Sequence, residues 1–381
     1  MKKVSLLLVF LMIFLILMPL ASCTHYMAAP TINGVSLEKY VIICDEDSLD
    51  YNRRAAEYIQ SVAKQRYGID LPILDDGSAK GSCEIVVGET SRAISSDLDA
   101  QTEGLEFSIL AQGTSIALEG DLFIIAAAAY YFMETYASLD GQISVVPEEI
   151  AVHAPIVKEA KNYILLIGDG MGVYQTKLFE YMENNVEGGD GEDIFYGYML
   201  PYMGYSRTDS LSGTTDSAAG GTALSCGIKT INGYIGRDEN LNDVKSLTEL
   251  AHELGKSAAV MSTEVRTGAT PSAFSAHADS RNSTVEILES ILALKAKHGT
   301  VVECGYNYHG VNAMELIEGK ITAALDQVSA NENGFFLMYE EAYIDKHCHD
   351  NDIEKTFMAL VRFNQAIARF MEFAFYHPDT F

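Results

Sequence analysis

The sequence predicts an α/β protein: a mostly parallel, helix-covered sheet preceded by a small α/β domain. Three observations carry this. The chain has 381 residues, enough for two domains. Short apolar strands alternate with helical patterns, which a parallel sheet with helices on its faces accommodates most simply. Pro147 to Pro155, with two prolines and two acidic residues, reads as a linker. The expected boundaries are 1–23 for a leader, 24–155 for the small domain and 156–381 for the large one.

Lys2 and Lys3 precede a nearly continuous apolar run from Val4 to Leu20, the pattern of an export signal. A retained membrane anchor is the rival, since the run approaches spanning length. Leu20-Ala-Ser-Cys23 resembles the bacterial lipoprotein cleavage box, which implies a lipid on Cys23. Such a protein is exported and tethered at the outer face of the cytoplasmic membrane or cell envelope without spanning it. Five further cysteines form no CxxC pair, and an odd number argues against a full disulfide framework. The formal charge of −27 would repel a nucleic-acid backbone, so no nucleic-acid partner is expected. A small anion remains acceptable where metals and an arginine reverse the local field.

The small domain opens with a buried strand at Tyr40 to Cys44. Asp50 to Tyr67 follows as a helix, with Ala55, Tyr58, Ile59, Val62 and Ala63 at helical spacing and Gly68 as its stop. Glu84 to Gly88 is a second strand. Leu105 to Leu110 and Ser115 to Leu118 read as a hairpin around Gln112-Gly113. Asp121 caps an alanine-rich helix to Ala137. The order loosely resembles an accessory domain found before some bacterial carbohydrate-active enzymes; a plain packing or spacer domain is the preferred reading.

The large domain begins near Lys161. Tyr163 to Gly168 is an apolar strand that runs into Asp169, with glycines on both sides of the carboxylate. A helix then runs towards Met182, and the acidic, glycine-rich Glu183 to Asp193 reads as a surface loop. Leu247 to Leu254 is a helix, Ser257 to Met261 a strand leading into Glu264, and 283–297 another helix. Thr300 to Glu303 and Gly334 to Glu340 are strands, the second with a carboxylate at its exit. Carboxylates at the carboxyl ends of buried strands lie where open α/β sheets bind ligands.

The organising stretch is Gly213-Thr-Thr-Asp-Ser-Ala-Ala-Gly-Gly-Thr-Ala-Leu-Ser-Cys-Gly227. Asp216 or Thr215 can cap a helix there, presenting outward amides that attract phosphate. Ser217 would then be placed to attack bound phosphorus. A tight strand-to-helix turn containing a serine accounts for the same residues. Further on, Asp345 and His349 are four apart and share one helical face, a carboxylate–imidazole pair suited to zinc. Glu340 offers a hard oxygen suited to magnesium. His347 is offset from that face and expected at the surface, and Cys348 is a bystander.

These separated motifs together resemble the alkaline phosphatase family over 161–381. They are Gly168-Asp-Gly-Met-Gly172, Thr215-Asp-Ser-Ala-Ala219, Thr270-Pro271 with Ala276-His277 and Arg281, and Gly334-Phe-Phe-Leu with Glu340, Asp345, Lys346 and His349. The resemblance implies a three-layer α/β/α sandwich and hydrolysis of small phosphate monoesters through a phosphoserine on Ser217. It implies two Zn2+ and one Mg2+: Asp169 bridging one zinc and the magnesium, Thr270 and Glu340 on magnesium, Asp345 and His349 on the other zinc. Arg281 would grip two phosphate oxygens, and a homodimer is left open. Two departures stand out. Gly268 occupies a position where relatives carry a side chain on the magnesium shell, so an outer contact there is expected to be missing. The family's later Asp-His pair and a further histidine do not occur, and Thr380-Phe381 looks like the start of the strand that would carry the pair. The chain is therefore expected to be a fragment, with poor zinc retention and little turnover by itself. The alternatives are a phosphodiesterase of the same superfamily, or a lipid-anchored binding protein with an inactive second domain. A sulfatase is disfavoured because no Cys/Ser-x-Pro-x-Arg setting surrounds Ser217.

Overall fold

The computed structural model describes residues 26–46, 50–96, 106–120, 122–137, 143–144, 146, 149–153, 160–185, 195–200, 204–305 and 313–381. The leader, Asp121 and most of the acidic loop after Glu183 lie outside these residues. The chain divides into two compact units, one of 1–100, 108–119 and 128–150, the other of 101–107, 120–127 and 151–381.

The N-terminal part of the chain, mostly in the first unit, carries β1 (Val41–Ile43), α1 (Asp50–Tyr67), β2 (Ile73–Leu74), β3 (Glu84–Val87), β4 (Glu106–Gln112), β5 (Ser115–Gly120), α2 (Ile125–Thr135) and β6 (Glu149–His153). The strands form one sheet in the order β2-β1-β3-β5-β4-β6. Ala55, Ile59 and Ala63, four apart on α1, are fully buried, as an amphipathic helix on a sheet requires. Gly68 ends α1 with φ +71°, a left-handed conformation natural to glycine. The strand β6 corrects the expected linker. Pro147 and Pro155 flank it in sequence, and a proline removes a ladder donor only at its own position, so the five residues between can pair.

The second unit is built on β7 (Tyr163–Gly168), β8 (Ser257–Ser262), β9 (Val301–Cys304) and β10 (Phe335–Glu341), in the order β7-β10-β8-β9. Every neighbouring pair is parallel. On the other side of β7, Thr380 and Phe381 continue the parallel pairing: Phe381 N donates to Asn162 O at 2.9 Å, and Ile164 N to Phe381 O at 2.8 Å.

Successive residues of a strand point to opposite faces, and β10 uses both. Phe335 and Tyr339 meet Phe373, Phe363 and Phe370 of α10 (Ile353–Tyr376) on one face, at ring separations of 5.9, 6.5 and 5.6 Å. Phe336 stacks on Phe274 at 6.1 Å on the other, beside Ala251 of α5 (Leu247–Glu253). Helices therefore cover both faces, giving the α/β/α sandwich. The alternation continues to the strand's end. Glu341 follows Tyr339 and forms a buried ion pair with Arg362 of α10 at 3.0 Å. Glu340 faces the other way, into the site.

Candidate active site

Because the four strands are parallel, their carboxyl ends open on one edge of the sheet. The register sets Glu341 opposite Gly168 and Glu340 opposite Ser262. Asp169, Glu340 and the residues after Ser262 therefore arrive at one level. Asp169 N donates to Glu341 O at 3.2 Å, which fixes the turn leaving β7.

The helix α4 (Ser217–Cys226) meets this edge with its N-terminus. Asp216 is the cap: Oδ1 accepts from Ala219 N at 2.9 Å, and Oδ2 from Gly233 N at 3.1 Å. The first helical residue is Ser217, whose Oγ donates to Asp169 Oδ2 at 2.9 Å. Arg281 Nη1 reaches Asp216 Oδ2 at 3.2 Å, and Arg281 N donates to Gly233 O at 2.7 Å. Cap, nucleophile candidate and guanidinium thus share one hydrogen-bonded frame. The small residues of α4 serve packing as well. A Cβ on Gly221 would lie 3.1 Å from Ala273 Cβ and 3.3 Å from Thr270 Cα, so only a small residue lets α4 seat against α6 (Ala269–Ala273). That seating brings Thr270 to the site.

Carboxylates crowd the centre. Glu340 is fully buried; Ser262 Oγ donates to its Oε2, while Oε1 has no hydrogen-bond partner. Burial pushes the Glu340 carboxyl up to about 8, and Asp169 and Glu264 add to the rise against the Ser262 and Thr270 hydroxyls. Burial likewise raises Asp169, helped by Asp345 and Glu264 and opposed by the Ser217 hydrogen bond. Asp345 comes close because Gly170 has no side chain: a Cβ there would lie 2.6 Å from Asp345 Oδ1, and its φ of +65° also favours glycine.

Asp345 and His349 stand on α9 (Tyr343–His349), with Oδ2 and Nε2 3.5 Å apart across one helical turn. His349 lies on the rim, its side chain 79% exposed. Ser217, Asp169, Glu340, Thr270 and Asp345 converge, Arg281 adjoins through Asp216, and His349 is outermost. No three His, Cys, Asp or Glu ligand atoms here lie within 4.8 Å of one another. Among the described residues, Asp45, Asp75 and Asp76 do, in the first unit, where Asp75 is already occupied by the Glu46 and Gly77 amides.

Two side chains depart from expectation. His347 is buried, not at the surface, because one turn of α9 lays it beside the Tyr343 ring at 5.4 Å. Glu264, not singled out from the sequence, joins the site: its Oε1 accepts from Lys346 Nζ at 2.5 Å. It lies just past the end of β8, the kind of position that drew attention to Asp169 and Glu340.

A family model described as alkaline phosphatase matches residues 160–302 and 302–381, more than half of the chain. The chain belongs to the alkaline phosphatase family. It is similar to alkaline phosphatase 4 of Bacillus subtilis, 30% identical over 269 residues, covering 57% of this chain and 58% of that one. Alkaline phosphatase of Escherichia coli is 39% identical over 132 residues, 32% of this chain and 27% of its own length. The solved alkaline phosphatase of the Antarctic bacterium TAB5 superposes with a TM-score of 0.51 at 25% identity, covering 59% of this chain and 77% of that one. This alkaline phosphatase family chain therefore spans less than two thirds of the first two curated relatives.

Proposed function

We propose that the chain carries the nucleophile side of a metal-dependent phosphate monoester hydrolase acting through a phosphoserine on Ser217. The observation that supports this most is the Ser217 Oγ hydrogen bond to Asp169 at a capped helix N-terminus, with Arg281 in the same frame. Outward amides and a guanidinium receive the phosphate dianion. Arg281 engages Asp216 through Nη1, so its remaining donors can grip ester oxygens, and this favours monoesters over diesters. Asp169 orients Oγ for in-line attack. The phosphorus–alcohol bond breaks as the Ser217 ester forms, the alcohol leaves with a proton, and water then releases inorganic phosphate and restores the hydroxyl.

The residues fit divalent cations. Glu340 Oε1 is a buried oxygen without a partner in a nest of carboxylates, a donor that a cation would satisfy. Asp169, Thr270 and Glu340 offer oxygens for Mg2+, and Asp345 and His349 offer a zinc pair. When bound, such cations supply the positive charge that lowers the serine pKa and neutralises charge in the transition state. No helix among the described residues is long and apolar enough to cross a membrane. The Leu20 to Cys23 box, which lies outside the described residues, supports anchoring through a lipid on Cys23.

The test is an acid quench during incubation with an aryl phosphate and both metals, followed by peptide mapping. A phosphoryl group on Ser217, absent from Ser217→Ala, is expected. Turnover without any label on Ser217 would overturn the reading.

A further inference from the structure

The expected gap beside Gly268 is filled. A Cβ built on Gly268 would collide with Oε2, Cδ and Cγ of Glu264, so the Glu264 carboxylate occupies the space a side chain at 268 would take. Gly268 itself has ordinary extended geometry, φ −62° and ψ 158°, so backbone conformation does not demand glycine there. A Cβ there would instead require the Glu264 side chain to move. Glu264 is held at its backbone and at its carboxylate. Its amide N donates to Ser262 Oγ at 2.9 Å, and that same hydroxyl donates to Glu340 Oε2. Lys346 Nζ grips Oε1, and Lys346 is the residue after Asp345. The Glu264 side chain is only 17% exposed, and its charge is felt by both Asp169 and Glu340.

We propose that Glu264 is a further acidic member of the cation site offered by Asp169, Thr270 and Glu340, contributed from the end of β8 in place of a side chain at position 268. This rests on the metal-dependent reading above. The buried, unpartnered Glu340 Oε1 marks the cation position, and Glu264 adds negative charge beside it. With Lys346 holding Oε1, the free edge of Glu264 is left to accept hydrogen bonds from water on the ion. An all-oxygen set that leaves room for water suits Mg2+, which gives up its hydration reluctantly. Lys346 acts as a positioning residue.

Calorimetric titration of the metal-stripped chain with Mg2+ tests this without turnover. Glu264→Gln keeps size and shape and is expected to weaken binding at least ~10-fold, the scale seen when outer-shell partners of a metal are removed. The double variant Glu264→Ala with Gly268→Asp returns a carboxylate to the same space from four residues further along the same loop, and is expected to recover most of the affinity. Equal Mg2+ affinity in the native chain and Glu264→Gln, or no binding in the native chain, would overturn the proposal. So would a double variant that folds by circular dichroism yet binds no better than Glu264→Gln. Failure of Ser217 labelling with these isotherms intact would sink the phosphoserine reading alone.

Discussion

Replacing Glu341 by glutamine tests the claim that two adjacent buried glutamates do different work. Glu341 is fully buried and accepts four hydrogen bonds: Thr263 Oγ1 at 3.1 Å, Tyr343 N at 3.1 Å, and Arg362 Nη2 and Nε at 3.0 and 3.3 Å. Glutamine keeps the volume and one acceptor oxygen but removes the charge. Arg362, itself buried, then carries a guanidinium whose buried carboxylate partner has lost its charge. Breaking a buried pair from one side costs about 3–5 kcal/mol, a large share of the roughly 5–15 kcal/mol that holds a domain together. Urea unfolding followed by circular dichroism should show the midpoint falling with little change in slope. The damage should also reach the site, because the Tyr343 amide at the start of α9 hangs on the same carboxylate, and α9 carries Asp345. A Glu341→Gln chain within about 1 kcal/mol of the native one would refute the reasoning, since desolvation of Arg362 is its whole basis.

Three further outcomes are expected. Gly170→Ala should cost roughly 2–4 kcal/mol in urea, combining left-handed backbone strain with overlap onto Asp345, and a neutral result would mean that the close approach is not required. Arg281→Ala should lower kcat/KM for an aryl phosphate monoester by about 100-fold while changing a diester little; equal losses would contradict the monoester preference. The Glu249–His277 pair, 3.2 Å apart, should shape stability against pH. The hydrogen bond to Glu249 raises His277, so its contribution is complete below about pH 6.5 and fades as pH climbs through the raised value. The same bond holds Glu249 down at about 2, so its contribution is present above about pH 4.3 and fades as pH falls towards 2. Thermal melts of His277→Gln should lose the alkaline arm of that profile, and an unchanged arm would rule the pair out.

Elements whose signal is local could be read from the sequence. The α4 cap is written in Asp216 and Ser217, the end of α1 in Gly68, and the strands β7 and β10 in unbroken apolar runs. Strand β6 was hidden because two prolines drew attention to a break, although neither lies within it. His347 was misjudged because a helical wheel shows which residues share a face but not which face a neighbouring helix covers. Both are tertiary choices that local pattern does not encode.

Glu264 was hidden for a different reason, and it bears on how the site is specified. A motif read residue by residue registers Gly268 as a loss, because position and function are assumed to travel together. The turn leaving β8 breaks that assumption. It brings residues 264 and 268 of one segment together, so a carboxylate four residues earlier can fill the space of a missing side chain, provided the later position gives up its own Cβ. Glycine at 268 and glutamate at 264 then form one unit: either alone would leave the site overcrowded or short of charge. The Lys346 contact gives that unit a counter-charge from α9, which ties the acidic exit of β8 to the helix bearing Asp345. A chain with aspartate added at 268 and Glu264 retained should therefore be the least stable of the set, because two side chains would compete for one volume.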